Sequence, residues 1–344
     1  MSQAELRLGY RALVPFLNAL AQRGSVEVEV EAPHLGYKLL TFDASRLGEL
    51  RVNPLPPRRG EAPGWSDLLD ALVTGGALPP PNLDRVRGEV AEFTASRLRG
   101  VFDRPREPVV ALDTNALYAR LVSRHLADVK GLSVAISRSV LCELDHAAQR
   151  EVGDRDLSAL VVDRARFTEA VPLGSPSLKA RKAYVALLER EALRTWLKVY
   201  EAGGYRRGDE AVVEDYRKLS QMNVDLVLLT SDEKMRASAS HAGIPSIFVE
   251  QPRDARKARL TPRNLASTLY ALAAYFGYIK LSSGIETLHV KTLWRGKRSE
   301  DWLKGLVELK WSPTKLMEEA AQRVLKIASI EGPQIFTETS SPPP

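Results

Sequence analysis

The stretch PVVALDTNALY, residues 108–118, is an apolar run that stops on an acid, and VDLVLLTSD at 224–232 repeats the pattern. Short runs that are apolar throughout predict strands buried on both faces. SVAIS at 133–137 and IPSIFVE at 244–250 are two more. Helical sequence separates them, at 115–127, 139–150, 154–168, 177–202, 209–221 and 233–242. Buried strands alternating with helices predict an α/β fold, a parallel sheet flanked by helices. The stretch 177–202 is long for a crossover and is expected as an arm beside the sheet.

Upstream, NPLPPRRGEAPG at 53–64 and ALPPPN at 77–82 cannot continue a helix or a central strand, because proline lacks the backbone donor. Residues 26–32 alternate valine and glutamate, the period of a strand with one wet face. LGYKLLTFD at 35–43 is its expected hairpin partner, and a helix is predicted over 83–99. Residues 1–104 thus read as a small α+β module, with PREP at 105–108 marking the boundary of a central domain ending near 252. Residues 253–335 read as a second α+β module. There LASTLYALAAYF is a helix, YIKLSS and ETLHVKTLW are strands, and SEDWLKGLVELKW and PTKLMEEAAQRVLKIA are two further helices. The tail 336–344 is expected to be disordered.

Composition excludes several classes of protein. The chain has 344 residues, with 44% hydrophobic and 27% charged, which is ordinary for a globular protein. Its single cysteine, Cys142, excludes a disulfide framework and a cysteine-based zinc site. The five histidines form no metal-ligand spacing, no phosphate-binding GxxxxGK[ST] occurs, and no Ser-His-Asp arrangement stands out. No apolar run is long enough to span a membrane, and the N-terminus does not read as a signal peptide, so a reducing, cytoplasmic setting is expected. Scarce asparagine and glutamine beside abundant charge point to an archaeal or thermophilic composition.

The net charge of +6 is localised. Residues 1–250 carry 34 basic and 34 acidic groups, whereas 251–300 carry ten and three. That surplus suits a polyanion, although a merely solvated basic face would read the same way.

Four carboxylates sit where packing alone would not put them. Asp113 ends the first buried strand and Asp232 follows the third, and ligand sites in parallel sheets form at the carboxyl ends of strands. Glu143 interrupts the apolar stripe of Val140, Leu144 and Ala147. Asp209 lies centrally on the helical face of Val212, Val213 and Tyr216. Asp215 falls about 120° away and is expected to be more solvated. Taken singly, Asp209 reads equally well as a helix cap, Asp113 and Asp232 as turn residues, and Glu143 as the edge of its helix. His146, one turn beyond Glu143, reads as an ordinary surface or core histidine.

Over about 108–250 the chain resembles the PIN domain, a Mg²⁺-dependent nuclease fold. ALDTNALY at 111–118 is similar to its opening motif, and LVLLTSDEKM at 226–235 to its last. LCELDHAA at 141–148 and GDEAVVEDY at 208–216 resemble the middle two more loosely. The resemblance implies catalytic and metal-holding roles for Asp113, Glu143, Asp209 and Asp232, with support from Thr114, Asn115 and Thr230. It also implies Mg²⁺ or Mn²⁺ as cofactor, RNA as substrate, and endonucleolytic hydrolysis in RNA processing or decay. A structure-specific DNA nuclease and a non-catalytic RNA-binding scaffold are the alternatives. The expected nucleic-acid contacts are Arg253, Arg256, Lys257, Arg259, Arg263, Lys291, Arg295, Lys297 and Arg298, the last three around Trp294. Residues 1–104 are a candidate surface for RNA, a protein partner or self-association.

Overall fold

The computed structural model describes residues 5–21, 27–95, 106–158, 160, 163–293 and 305–331. Its strands in chain order are β1 Glu5–Gly9, β2 Glu27–Ala32, β3 Tyr37–Asp43, β4 Arg51–Val52, β5 Glu107–Leu112 and β6 Ser133–Ser137. There follow β7 Lys198–Ala202, β8 Val224–Thr230, β9 Ser246–Phe248, β10 Tyr278–Ser283, β11 Glu286–Thr292 and β12 Leu306–Trp311. The chain divides into two compact units, one of Pro79–Arg150 and Lys182–Pro252, the other of Met1–Leu78, Glu151–Arg181 and Arg253–Pro344.

The first unit is α/β. Its sheet runs β7-β6-β5-β8-β9, with every neighbouring pair parallel. Val109, Val110, Ala111 and Leu112 of β5 are fully buried, as continuous apolar sequence requires of a strand covered on both faces. The chain starts at β5, steps outward through β6 and β7, then returns to the other side of β5 with β8 and β9. Strand order therefore reverses between β5 and β8, and it is at the carboxyl ends of strands flanking such a switch that open sheets commonly bind ligands.

Three local expectations change here. The segment 177–202 is no free arm: its helix is Leu178–Trp196, and KVYEA then forms the edge strand β7, paired with β6. Its partly polar sequence is that of a strand with one side to solvent, which hid it behind the helix. The helix expected over 115–127 breaks into Thr114–Tyr118 and Leu121–His125 at Arg120, whose φ is 50°. The helix Leu83–Ala95 belongs to this unit rather than to an N-terminal module. Just before it, the Asn82 side chain donates to the Phe248 carbonyl at 2.9 Å and accepts from Glu250 N at 3.0 Å, completing the edge at β9.

The second unit is built on a seven-stranded antiparallel sheet ordered β1-β12-β11-β10-β2-β3-β4. Sequence suggested separate modules at 1–104 and 253–335, but their strands interleave, with β1 on β12 and β2 on β10. Either segment alone would leave bare strand edges, and the two junctions between them pair four of these. The expected helix at SEDWLKGLVELKW is replaced, over its described part, by β12. LVELKW there alternates so that Val307, Leu309 and Trp311 point inward. Helices Leu13–Ala21 and Trp65–Gly75 had no counterpart in the sequence reading. The helix Leu265–Phe276 is buried at every residue, packed on β10 and β11 and against the helix Trp65–Gly75, which is why its sequence is largely apolar all round. Among the described residues no helix is long and apolar enough to cross a membrane.

Candidate active site

Asp113 follows β5 directly and caps the helix Thr114–Tyr118, its Oδ1 accepting from Ala116 N at 2.6 Å. Its Oδ2 accepts from the Thr230 hydroxyl at 2.5 Å. The residue is 2% exposed, and this burial is the main reason its carboxyl is pushed up to about 6. The Asp232 charge pushes the same way, while hydrogen bonds from Thr230, Ala116 and Asn115 pull back. Asp232, one residue past β8 and a spacer, caps the helix Glu233–His241 through Lys234 N at 2.8 Å. Its own amide donates to Thr230 Oγ1 at 2.9 Å, so one threonine joins both strand ends.

Glu143 comes to this region from the helix Arg138–Ala148. It accepts from the Thr114 hydroxyl at 2.7 Å and from Gly208 N at 3.3 Å. Asp209 opens the helix Asp209–Ser220 and is exposed. Its carboxyl is held above the usual range by partial burial, then by the charges of Asp232 and Glu143, against a smaller pull from Lys234. A line of mutual repulsion therefore links Asp113, Asp232, Asp209 and Glu143. His146 is exposed and Cys142 half-buried.

The expected ranking of Asp209 and Asp215 is reversed. Asp215 is fully buried: its Oδ2 accepts from the hydroxyls of Ser137 at 2.6 Å and Ser139 at 2.7 Å, and its Oδ1 from Arg206 at 3.1 Å. Burial alone would raise its pKa, but these donors outweigh it and the carboxyl sits below its ordinary value. A Cβ on Gly203 would lie 1.9 Å from the Asp215 carboxyl carbon, and that glycine has φ 77°. Beside Asp215, the buried Tyr216 hydroxyl donates to Leu112 O at 2.5 Å and accepts from Ser137 N at 3.0 Å. It stitches the ends of β5 and β6 just below Asp113. The sequence signal for this network was the i, i+3, i+4, i+7 row of Val212, Asp215, Tyr216 and Leu219.

The donor set suits a hard cation, since every candidate ligand is an oxygen, and burial first and neighbouring acids second raise the Asp113 and Asp209 carboxyls. Among the described residues no group of three or more His, Cys, Asp or Glu side chains is placed to hold a metal ion. Mg²⁺ does not require one, because it typically takes one or two carboxylates and completes its shell with water and phosphate oxygens.

Of the expected nucleic-acid contacts, Arg253, Arg256, Lys257, Arg259 and Arg263 are exposed in the second unit. Arg256 is held on Asp254 at 2.7 Å and Arg259 on Glu49 at 3.2 Å. Lys291 is half-buried on β11. Arg295, Lys297, Arg298 and Trp294 lie outside the described residues.

The first unit is thus a parallel α/β sheet with acids following β5 and β8, where strand order reverses, the place at which open sheets of this kind commonly bind ligands. Residues 110–250 match the family model of the PIN domain, which assigns this part of the chain to that family. PIN domains are typically nucleases and generally use divalent metal ions. A solved structure described as a domain of a functionally unknown protein from Methanocaldococcus jannaschii is similar at 20% identity. That match covers 42% of this chain and 94% of the other, with a TM-score of 0.27. No curated protein matches the chain.

Proposed function

We propose that the protein is a divalent-metal-dependent endoribonuclease that hydrolyses RNA phosphodiester bonds in RNA processing or decay. The observation that supports it most is Asp113, a buried carboxyl raised to about 6 beside Asp232 at the strand switch. A buried acid held in its less stable charged form next to a second acid is a feature that functional sites commonly carry.

In this reading Asp113, Glu143, Asp209 and Asp232 hold Mg²⁺ or Mn²⁺. When bound, the ion lowers the pKa of a water and neutralises charge on the phosphate. The chain's own contribution is to keep the carboxylates aimed before the ion or RNA arrives. Ala116 N and Thr230 fix Asp113, Thr114 and Gly208 N fix Glu143, and Lys234 N fixes Asp232. Asn115 adds a further hydrogen bond to Asp113. Asp209, exposed at a helix start, is the acid most open to an incoming strand. The exposed cations of 253–263 supply phosphate contacts that raise affinity without reading sequence.

The test is a Mg²⁺ and Mn²⁺ titration with end-labelled RNA and DNA, comparing wild type with Asp113→Asn. Metal-dependent RNA cleavage, lost with EDTA and reduced by roughly 100-fold or more in the variant, is expected. Equal cleavage by the variant would sink the site. Cleavage of DNA alone would replace the ribonuclease reading, and metal-independent RNA binding without cleavage would leave a scaffold.

A further inference from the structure

The second unit carries a different feature, on the sheet face away from the buried helix Leu265–Phe276. There β10, β11 and β12 align Tyr278 with Lys291 and Glu308 in one row, and Lys280 with His289 and Lys310 in the next. The short helix Arg164–Ala170 and the turn Pro33–Leu35 flank these rows. Two adjoining pockets result, of about 360 and 230 Å³, which share Ala170, Lys291 and Glu308.

The smaller pocket has a buried arginine in its wall. Arg181 is 2% exposed, and among the described residues neither its Nε nor its Nη2 has a hydrogen-bond partner. Glu61 and Asp67 favour its charge from a distance, but burial is the stronger influence and lowers its pKa to about 10, so it remains a cation at neutral pH. A buried cation with two idle donors is costly unless something accepts from them. Thr292 Oγ1 and Ser175 Oγ, in the same wall, are also without partners among the described residues. Gly277 leaves the space: a Cβ there would lie 2.5 Å from Arg181 Nη1.

The larger pocket reports the same potential. His34 is 4% exposed, and among the described residues neither ring nitrogen makes a full hydrogen bond. Its pKa falls to about 3, through burial first and then the charges of Arg181, Arg166 and Lys291, against a raising influence from the Phe276 carbonyl. Glu308, the acid common to both pockets, is already engaged by Arg7 at 3.6 Å and Lys310 at 3.5 Å.

We propose that this cleft is a phosphate-binding site, with Arg181 Nε and Nη2 as its buried donors and Lys291 as its half-exposed cation. A planar guanidinium presenting two N–H groups matches a phosphate oxyanion, and the lysine adds a point charge. The ligand is either free phosphate or the phosphorylated end of a nucleic acid, which offer the same chemistry. The inference does not rest on the nuclease reading, because none of the four acids of the first unit takes part.

Calorimetric titration of the full chain with inorganic phosphate, in EDTA, tests it. Saturable binding is expected, weakened about tenfold or more in Arg181→Met and several-fold in Lys291→Gln, and unchanged in Asp113→Asn. Should Arg181→Met fail to fold by circular dichroism, Gly277→Ala and Lys291→Gln carry the comparison. No saturable binding by the wild type, or binding indifferent to every folded variant, would overturn the proposal. A parallel titration with 5′-phosphorylated and 5′-hydroxyl oligoribonucleotides separates the sources. A preference for the phosphorylated end that disappears in Lys291→Gln supports a nucleic-acid terminus, and binding of inorganic phosphate without that preference supports a free anion.

Discussion

The Thr230 hydroxyl donates to Asp113 Oδ2 at 2.5 Å, linking the last residue of β8 to the acid that follows β5. Because the same oxygen accepts from Asp232 N at 2.9 Å, the spacing of the two strand-end acids is set by a single side chain. Thr230 is itself fully buried, so neither hydrogen bond competes with water.

Thr230→Val should therefore act through Asp113. Removing a hydrogen bond to the ionised carboxylate costs about 1.5–3 kcal/mol, equivalent to a further rise of roughly one to two pKa units. Divalent-ion affinity and RNA cleavage should both lose their acidic side at correspondingly higher pH, while Thr230→Ser keeps the wild-type profile. A pH profile identical in the valine variant would show that the contact does not tune Asp113.

Asp113 should also leave a mark on stability in metal-free protein. Its folded pKa, about 6, is above the ordinary 3.8, so the native state holds this proton more tightly than the unfolded chain. The stabilisation is complete below the unfolded value and disappears as pH rises through about 6. At pH ~7 Asp113→Asn should then be the more stable protein, by up to roughly 3 kcal/mol, with the advantage vanishing near pH ~4. Denaturant unfolding in EDTA at the two pH values measures it; a variant less stable at both would count against a strained carboxylate.

How much of this was legible follows from burial. β5, β6 and β8 announce themselves as unbroken apolar runs, and Asp113 and Asp232 are conspicuous because each ends one. β7 and β12 were missed because KVYEA and LVELKW mix polar with apolar residues, as strands with a solvent side must, and short alternations are easily absorbed into a neighbouring helix pattern. The shared antiparallel sheet was out of reach for a different reason: the pairing of Leu8 with Val307 is a relation between distant segments that no local period encodes. The error over Asp215 came from centring the helix face on Val212 and Val213. Including Leu219 turns that face toward Asp215, whose burial is made tolerable by Ser137 and Ser139, residues the helix itself does not reveal.

Asp209 and Asp215, six residues apart on one helix, should consequently respond in opposite ways. Asp215→Ala leaves the Ser137 hydroxyl without its acceptor in a dry site, leaves Ser139 only the Gly204 carbonyl at 3.1 Å, and opens a cavity, for a loss of about 2–4 kcal/mol. Because the Asp215 pKa is depressed, its contribution is present above the unfolded value and fades as pH falls toward the folded one. Asp209→Ala touches an exposed acid with raised pKa, so stability should change by less than about 0.5 kcal/mol while metal-dependent cleavage falls. Thermal unfolding and cleavage assays on both variants decide it, and a large stability loss at Asp209 would reassign that residue to the fold.

The exposed cations of 253–263 should divide according to their existing partners. Arg256 and Arg259 are already held by Asp254 and Glu49, whereas Arg253 and Arg263 make no ion pair among the described residues. A free guanidinium can meet a phosphate without first giving up an acid, so Arg253→Ala and Arg263→Ala should weaken RNA binding more than Arg256→Ala does. If each contacts one phosphate, its removal lowers the slope of log affinity against log salt by about 0.7–0.9, with little dependence on RNA sequence. Filter binding across a salt series measures that slope. An unchanged slope in the Arg253 and Arg263 variants would place the RNA path elsewhere.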